Sequence, residues 1–72
     1  MHALNTIHRL NEEAVARSQA NIAAAQGRFV LRRYTGLHFI GLETFPTAQE
    51  RDDHRAAWEA QGPSNRSEIT NP

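Results

Sequence analysis

The chain has 72 residues, which limits it to one small domain. It carries eight basic and eight acidic residues, a formal net charge of zero and no cysteine, which excludes disulfides and thiolate metal sites. A chain of this length buries only about 60% of the surface that its unfolded form exposes. Self-association is therefore an expected extra source of stability, and an enclosed substrate pocket is not expected.

Neither a membrane span nor a signal peptide is predicted. No apolar run approaches the roughly 18 residues that a membrane span needs. The first ten residues lack a basic region followed by an apolar stretch. We therefore expect a cytoplasmic protein. All eight basic residues are arginine and alanine is abundant. This bias is typical of GC-rich genes and favours a bacterial or phage origin.

The first predicted element is a helix over residues 3–26, favoured by its alanine content and closed by Gly27. Within this range Asn5 and Asn11 both resemble N-caps, so each is a candidate start of the helix. At 100° per residue, one face carries an apolar stripe that we expect to meet the core. Asn11 and Ser18 interrupt this stripe, a pattern that also suits helix pairing. The stripe consists of Leu4, Ile7, Asn11, Ala14, Val15, Ser18, Ile22 and Ala25.

Residues 28–45 are predicted to form a β-hairpin, because two runs rich in branched and aromatic side chains flank a glycine. A two-residue turn at Thr35 and Gly36 would place Tyr34 opposite Leu37. Neither face of such a hairpin is cleanly polar. One face can pack on the helices, and the other is expected to remain uncovered.

A second helix is predicted over residues 47–61. Thr47 and Glu50 have the spacing of a capping box, and Gly62 and Pro63 end the helix. Trp58 is its expected anchor in the core. Residues 63–72 are polar and are predicted to form a flexible tail. The sequence thus predicts a small α+β fold of αββα order, with one domain at 1–62, a tail at 63–72 and a dimeric state.

The sequence offers no enzymatic, metal or cofactor site. His2 and His8 are six residues apart, which does not align two ligands on one helix face, and no other histidine spacing is typical of a metal site. No serine lies at a strand-to-helix elbow, and no glycine-rich loop opens a helix. We expect a non-enzymatic protein that needs no cofactor.

The hairpin supplies the candidate binding surface, because tyrosine and arginine are enriched in interface hot spots. The predicted function is that of an accessory factor or inhibitor that occupies a surface of a larger protein, in the size range of anti-defence inhibitors. Two alternatives stay open: a dimeric nucleic-acid-binding protein that uses the same hairpin, and a small-ligand binder with a pocket between protomers. The candidate partner-binding residues are Arg32, Arg33, Tyr34, Leu37, His38 and Phe39.

Overall fold

The protein folds into two helices and one three-stranded antiparallel sheet. The structure is a computed structural model that describes the backbone of residues 2–72 and the side chains of residues 12–72. The strand order is β2-β1-β3, so β1 is central and the other two strands are edges. The α+β class, both helices and the hairpin are as predicted. The elements are α1 (His2–Ala25), β1 (Phe29–Thr35), β2 (His38–Phe45), α2 (Ala48–Ala60) and β3 (Asn65–Thr70).

The two helices cover opposite faces of the sheet. Val30 and Leu31 are consecutive in β1 and point to opposite faces, yet their exposed fractions are 0% and 1%. Helix α1 packs on the Val30 side. Helix α2 packs on the other side, where the Arg51 guanidinium lies 5.5 Å from the centre of the Phe29 ring. The expectation that one hairpin face would remain uncovered is therefore wrong.

Over residues 12–25, helix α1 meets the sheet with alanine rather than with its larger apolar residues. Val15 and Ile22, which were predicted to face the core, are 54% and 59% exposed. Small side chains let the helix approach a sheet face that already carries bulky groups. Leu4, Ile7 and Asn11 of the predicted stripe lie outside the described side chains. Helix α1 begins at His2, ahead of both predicted starts, and ends as predicted, with Gly27 at a φ of +84°. The buried residues are Ala16, Ala20, Ala23 and Ala24.

The hairpin exists, but its predicted register is wrong. Gly36 and Leu37 form the turn and Thr35 lies opposite His38. Gly36 has a φ of +59°, which suits the first central position of a type II′ turn. The pairing then shifts by one residue at Ile40, a β-bulge in β2. The bulge places Leu42 opposite Arg32, on the α1 side of the sheet.

The predicted flexible tail is also wrong, because residues 65–70 form β3 along the free edge of β1. Polar contacts with α2 fix this strand. The Trp58 indole donates to the Arg66 carbonyl at 3.0 Å, and the Asn65 amide donates to the Trp58 carbonyl at 3.0 Å. Ile69 is the one large apolar residue of β3, so its composition resembles that of a tail. Hydrogen bonds stabilise this strand, and its polar composition does not predict them.

Helix α2 closely follows its prediction. The Thr47 side chain accepts from the Glu50 amide at 3.2 Å, as a capping residue does. The helix covers residues 48–60, and Arg51 is its one buried residue. Trp58 is half-buried at the sheet, with its ring 5.6 Å from the Arg33 guanidinium carbon.

Tyr34 is the largest fully buried side chain of the described residues. Its hydroxyl donates to Glu13 at 3.3 Å and accepts from Arg32 at 3.2 Å. The Arg66 guanidinium lies 4.2 Å from the centre of its ring. Burial raises the pKa of the Tyr34 hydroxyl, so this group stays protonated and can donate. Tyr34 therefore connects α1, β1 and β3.

We expect Tyr34→Ala to unfold the protein. Truncating a buried aromatic side chain costs about 3–5 kcal/mol, and a core of this size supplies roughly 3–5 kcal/mol. Tyr34→Phe keeps the ring and loses only the hydroxyl contacts, at a cost of about 1–2 kcal/mol. Urea unfolding followed by Trp58 fluorescence distinguishes the two variants. An unchanged unfolding midpoint for Tyr34→Ala would contradict this placement.

The attachment of β3 should weaken at low pH. The Ser67 hydroxyl donates to the Glu59 carboxylate at 2.8 Å, and this hydrogen bond lowers the pKa of Glu59. Because the pKa of Glu59 is lower in the folded state than in the unfolded state, its carboxylate stabilises the fold at any pH above the unfolded-state pKa. This stabilisation is lost as the pH falls through the folded-state pKa.

Ser67→Ala should therefore reduce the loss of stability between about pH 5 and pH 3. The measurement is the urea midpoint as a function of pH. Ser64→Ala, at an exposed serine in the loop before β3, is the matched control and should keep the wild-type dependence. Identical pH profiles for Ser67→Ala and the wild type would rule out this contribution.

Candidate functional site

The six predicted partner-binding residues do not form one surface. Tyr34 is a core residue and cannot touch a partner. Arg32 lies with it under α1, whereas Arg33 lies on the opposite face beside Trp58. Leu37 is 85% exposed at the turn, and His38 beside it is also exposed. Phe39 is half-buried against Tyr34, with ring centres 5.6 Å apart. Leu37 and His38 are therefore exposed together at the turn, whereas the other four residues are buried or half-buried.

Most arginines of the described chain are engaged within the molecule. Arg33 forms an ion pair with Glu43, and Arg32 donates to the Tyr34 hydroxyl. Arg28 donates to the Thr44 hydroxyl at 3.0 Å, and like Arg32 it has no carboxylate within 4.0 Å among side chains 12–72. The arginines therefore lie on both faces of the sheet and do not form one basic surface. Those in ion pairs are Arg17, Arg33, Arg51, Arg55 and Arg66.

A groove of about 600 Å³ runs between α1 and β2. We call it the α1–β2 groove. The bulge builds its β2 wall, because the extra residue turns Ile40 to the same side as Phe39 and Leu42. Ile40 remains 52% exposed at the rim. The groove is lined by Glu12, Val15, Ala16, Gln19, Phe39, Ile40 and Leu42.

The groove is apolar with one acidic end. Among side chains 12–72, Glu12 is the one charged residue of the lining, and no cation of this part of the chain lies within 4.0 Å of its carboxylate. Gln19 adds an exposed amide. The described part of the lining contains no hydroxyl, thiol or imidazole, and its one ionisable group is the Glu12 carboxylate. This set of side chains can bind apolar groups and one cation.

The outer edge of β2 lies beside the groove and is open to pairing. Edge strands often carry lysine, proline or several charges that prevent pairing with another chain. β2 contains neither lysine nor proline, and Glu43 is its one acidic or arginine residue. The opposite edge, β3, carries both Arg66 and Glu68. β2 is therefore the less protected edge, although its bulge interrupts part of it.

Phe39 is the one residue of the described groove lining that the sequence analysis placed at a binding surface. Val15 was placed in the core, because the apolar stripe of α1 was expected to face the sheet. No residue pattern predicts the bulge that turns Ile40 to the groove side of the sheet. The signal that could have found the groove is the second face of α1, where alanines recur every three or four residues.

The described residues contain no group of three His, Asp or Glu side chains that could hold a metal ion. Within the described part of the chain, no helix is long and apolar enough to cross a membrane. Comparison with known protein families, curated proteins and solved structures found no match.

Proposed function

We propose that this chain is a small non-enzymatic protein that acts by binding protein through the α1–β2 groove and its rim. The observation that supports the proposal is the exposure of large aliphatic side chains beside a very small core. Val15, Ile22 and Ile40 are each more than half exposed. Only Tyr34, Leu31 and Val30 are large and fully buried among the described residues.

Exposed aliphatic side chains are costly for a chain with so little core. Burying a valine or isoleucine stabilises a protein by about 1.5–3 kcal/mol relative to its exposed state. Val15 and Ile22 lie seven residues apart on α1, so they stand on one side of the helix. An apolar rim of this kind beside a groove is typical of protein interaction sites.

The two alternative functions receive less support. Phosphate binding needs several free cations on one surface, whereas the described arginines are mostly paired and lie on both faces of the sheet. The groove itself ends in an acid, Glu12. A small ligand usually has 70–90% of its surface buried. The rim of this groove is too open for that, and it suits the side chains of another protein better.

The finer form of the proposal is an accessory factor or inhibitor that covers a surface of a larger protein. Its size and apolar rim support this mode of action, because occupying a surface needs no catalytic group. The arginine- and alanine-rich composition favours a bacterial or phage source.

Charged substitutions at the rim should abolish protein capture. Val15→Glu and Ile40→Glu each place a carboxylate in the interface, and we expect at least a tenfold loss of captured protein. Both positions are exposed, so the free energy of unfolding should change by less than about 1 kcal/mol. A tagged chain is incubated with an extract of the encoding organism, and this extract also contains the untagged chain. The measurement is the amount of protein that the tagged chain captures.

Leu37→Glu is the matched control, because Leu37 is an exposed apolar residue at the hairpin turn that does not line the groove. It should retain capture. Loss of capture with Leu37→Glu but not with the rim variants would move the binding site to the turn. Capture of nucleic acid alone, steeply weakened by salt, would replace protein binding with the nucleic-acid function.

A further inference from the structure

We propose that a second copy of this chain occupies the α1–β2 groove, with the two β2 edges paired antiparallel about a two-fold axis at Leu42. This inference rests on the proposed function, since it names the partner of the same surface. The two sheets would join into one sheet of six strands. The two α1 helices would lie side by side on one face and close the groove between them.

The open edge of β2 defines how two copies can meet. A two-fold axis perpendicular to a sheet at its edge strand makes the two edge strands antiparallel. The backbone N–H and C=O groups of one β2 can then pair with those of the other. The start of each β2 lies beside the end of the partner's β2, so each groove receives residues from both copies.

The faces of β2 restrict the register. Directly opposed residues in an antiparallel pair point to the same face of the sheet. Leu42 and Thr44 face α1, whereas Gly41 and Glu43 face α2. An axis at Glu43 would oppose two carboxylates directly, which is destabilising. An axis at Leu42 instead opposes two leucines and places the partner's Glu43 opposite Gly41.

Charges on the α2 face favour the axis at Leu42. Arg33 extends over Gly41, where its Nη2 lies 3.8 Å from the position that a Cβ would take. Gly41 has no side chain, so this guanidinium borders the β2 edge. The partner's Glu43, opposite Gly41, would approach it. Each Arg33 would then lie between its own Glu43 and a second carboxylate.

Charges on the α1 face lead to the same arrangement. Arg28 contacts Thr44 near the end of β2, whereas Glu12 lines the groove beside Phe39 at its start. Within one copy these two charges are near opposite ends of the strand. Antiparallel pairing would place the partner's Arg28 at the acidic end of the groove, beside Glu12. Symmetry makes two such pairs, and each joins groups that have no ion-pair partner among side chains 12–72.

Introduced cysteines test the axis, because the chain has none of its own. Opposed residues have Cα atoms about 4.5–5.5 Å apart, within the range of a disulfide. Leu42→Cys should therefore give disulfide-linked dimers on mild oxidation. Thr44→Cys is the matched control, since the two copies of residue 44 would be roughly 13 Å apart along the strands. Its cross-linking should be at least tenfold slower, and faster cross-linking at position 44 would overturn the register.

Charge exchange tests the partner without altering the core. Glu12→Arg and Arg28→Glu should each weaken dimerisation about tenfold, because an exposed pair contributes up to roughly 1 kcal/mol and two pairs change sign. The double variant Glu12→Arg/Arg28→Glu should restore it. Sedimentation equilibrium measures the dissociation constants, so this test remains decisive even where Leu42→Cys fails to fold.

The two proposals fail in different ways. A wild-type chain that sediments as a monomer at its highest soluble concentration overturns the dimer. A monomer that still captures a different protein through Val15 and Ile40 leaves the proposed function intact. A dimer that the double charge variant does not restore also overturns the proposed pairing.

Discussion

Burial of β1 on all sides is the constraint on which the fold depends. This strand has a neighbour on each edge and a helix on each face. Among side chains 12–72, it contributes the three large residues that are fully buried, which are Tyr34, Leu31 and Val30. In a chain of this length, one strand replaces the layered core of a larger domain. The remaining elements are positioned by their contact with β1, and their outer surfaces are left for other roles.

The two helices use different chemistry to cover this strand. Helix α1 offers alanines, which bring its backbone close to the sheet, while Val15 and Ile22 remain exposed. Helix α2 offers long polar side chains instead. Arg51 lies on the Phe29 ring, and Trp58 donates to the backbone of β3. A thin apolar core is therefore combined with many polar contacts. Apolar residues that lie outside this core border the groove.

The sequence predicts the local elements better than their arrangement. Thr47 caps the start of α2 and Gly27 ends α1, and each does so through contacts with residues close to it in sequence. These two helix ends are therefore predictable. The bulge at Ile40 and the pairing of β3 depend on contacts between distant segments, and polar strand residues such as Ser67 resemble those of a tail. The orientation of α1 was mistaken for a related reason. Periodicity identifies an apolar face, but it does not show whether the core or a partner covers it.

The position of β3 also affects how the protein is made. It follows both helices and the hairpin along the chain, yet it pairs with the central strand. While residues 65–70 are still missing, a nascent chain already contains both helices and the hairpin, but one edge of β1 is bare. An exposed hydrogen-bonding edge invites pairing with a neighbouring chain. Chains truncated before residue 65 should therefore be more prone to aggregation than chains that contain β3, because residues 65–70 cover the open edge of β1 within the molecule.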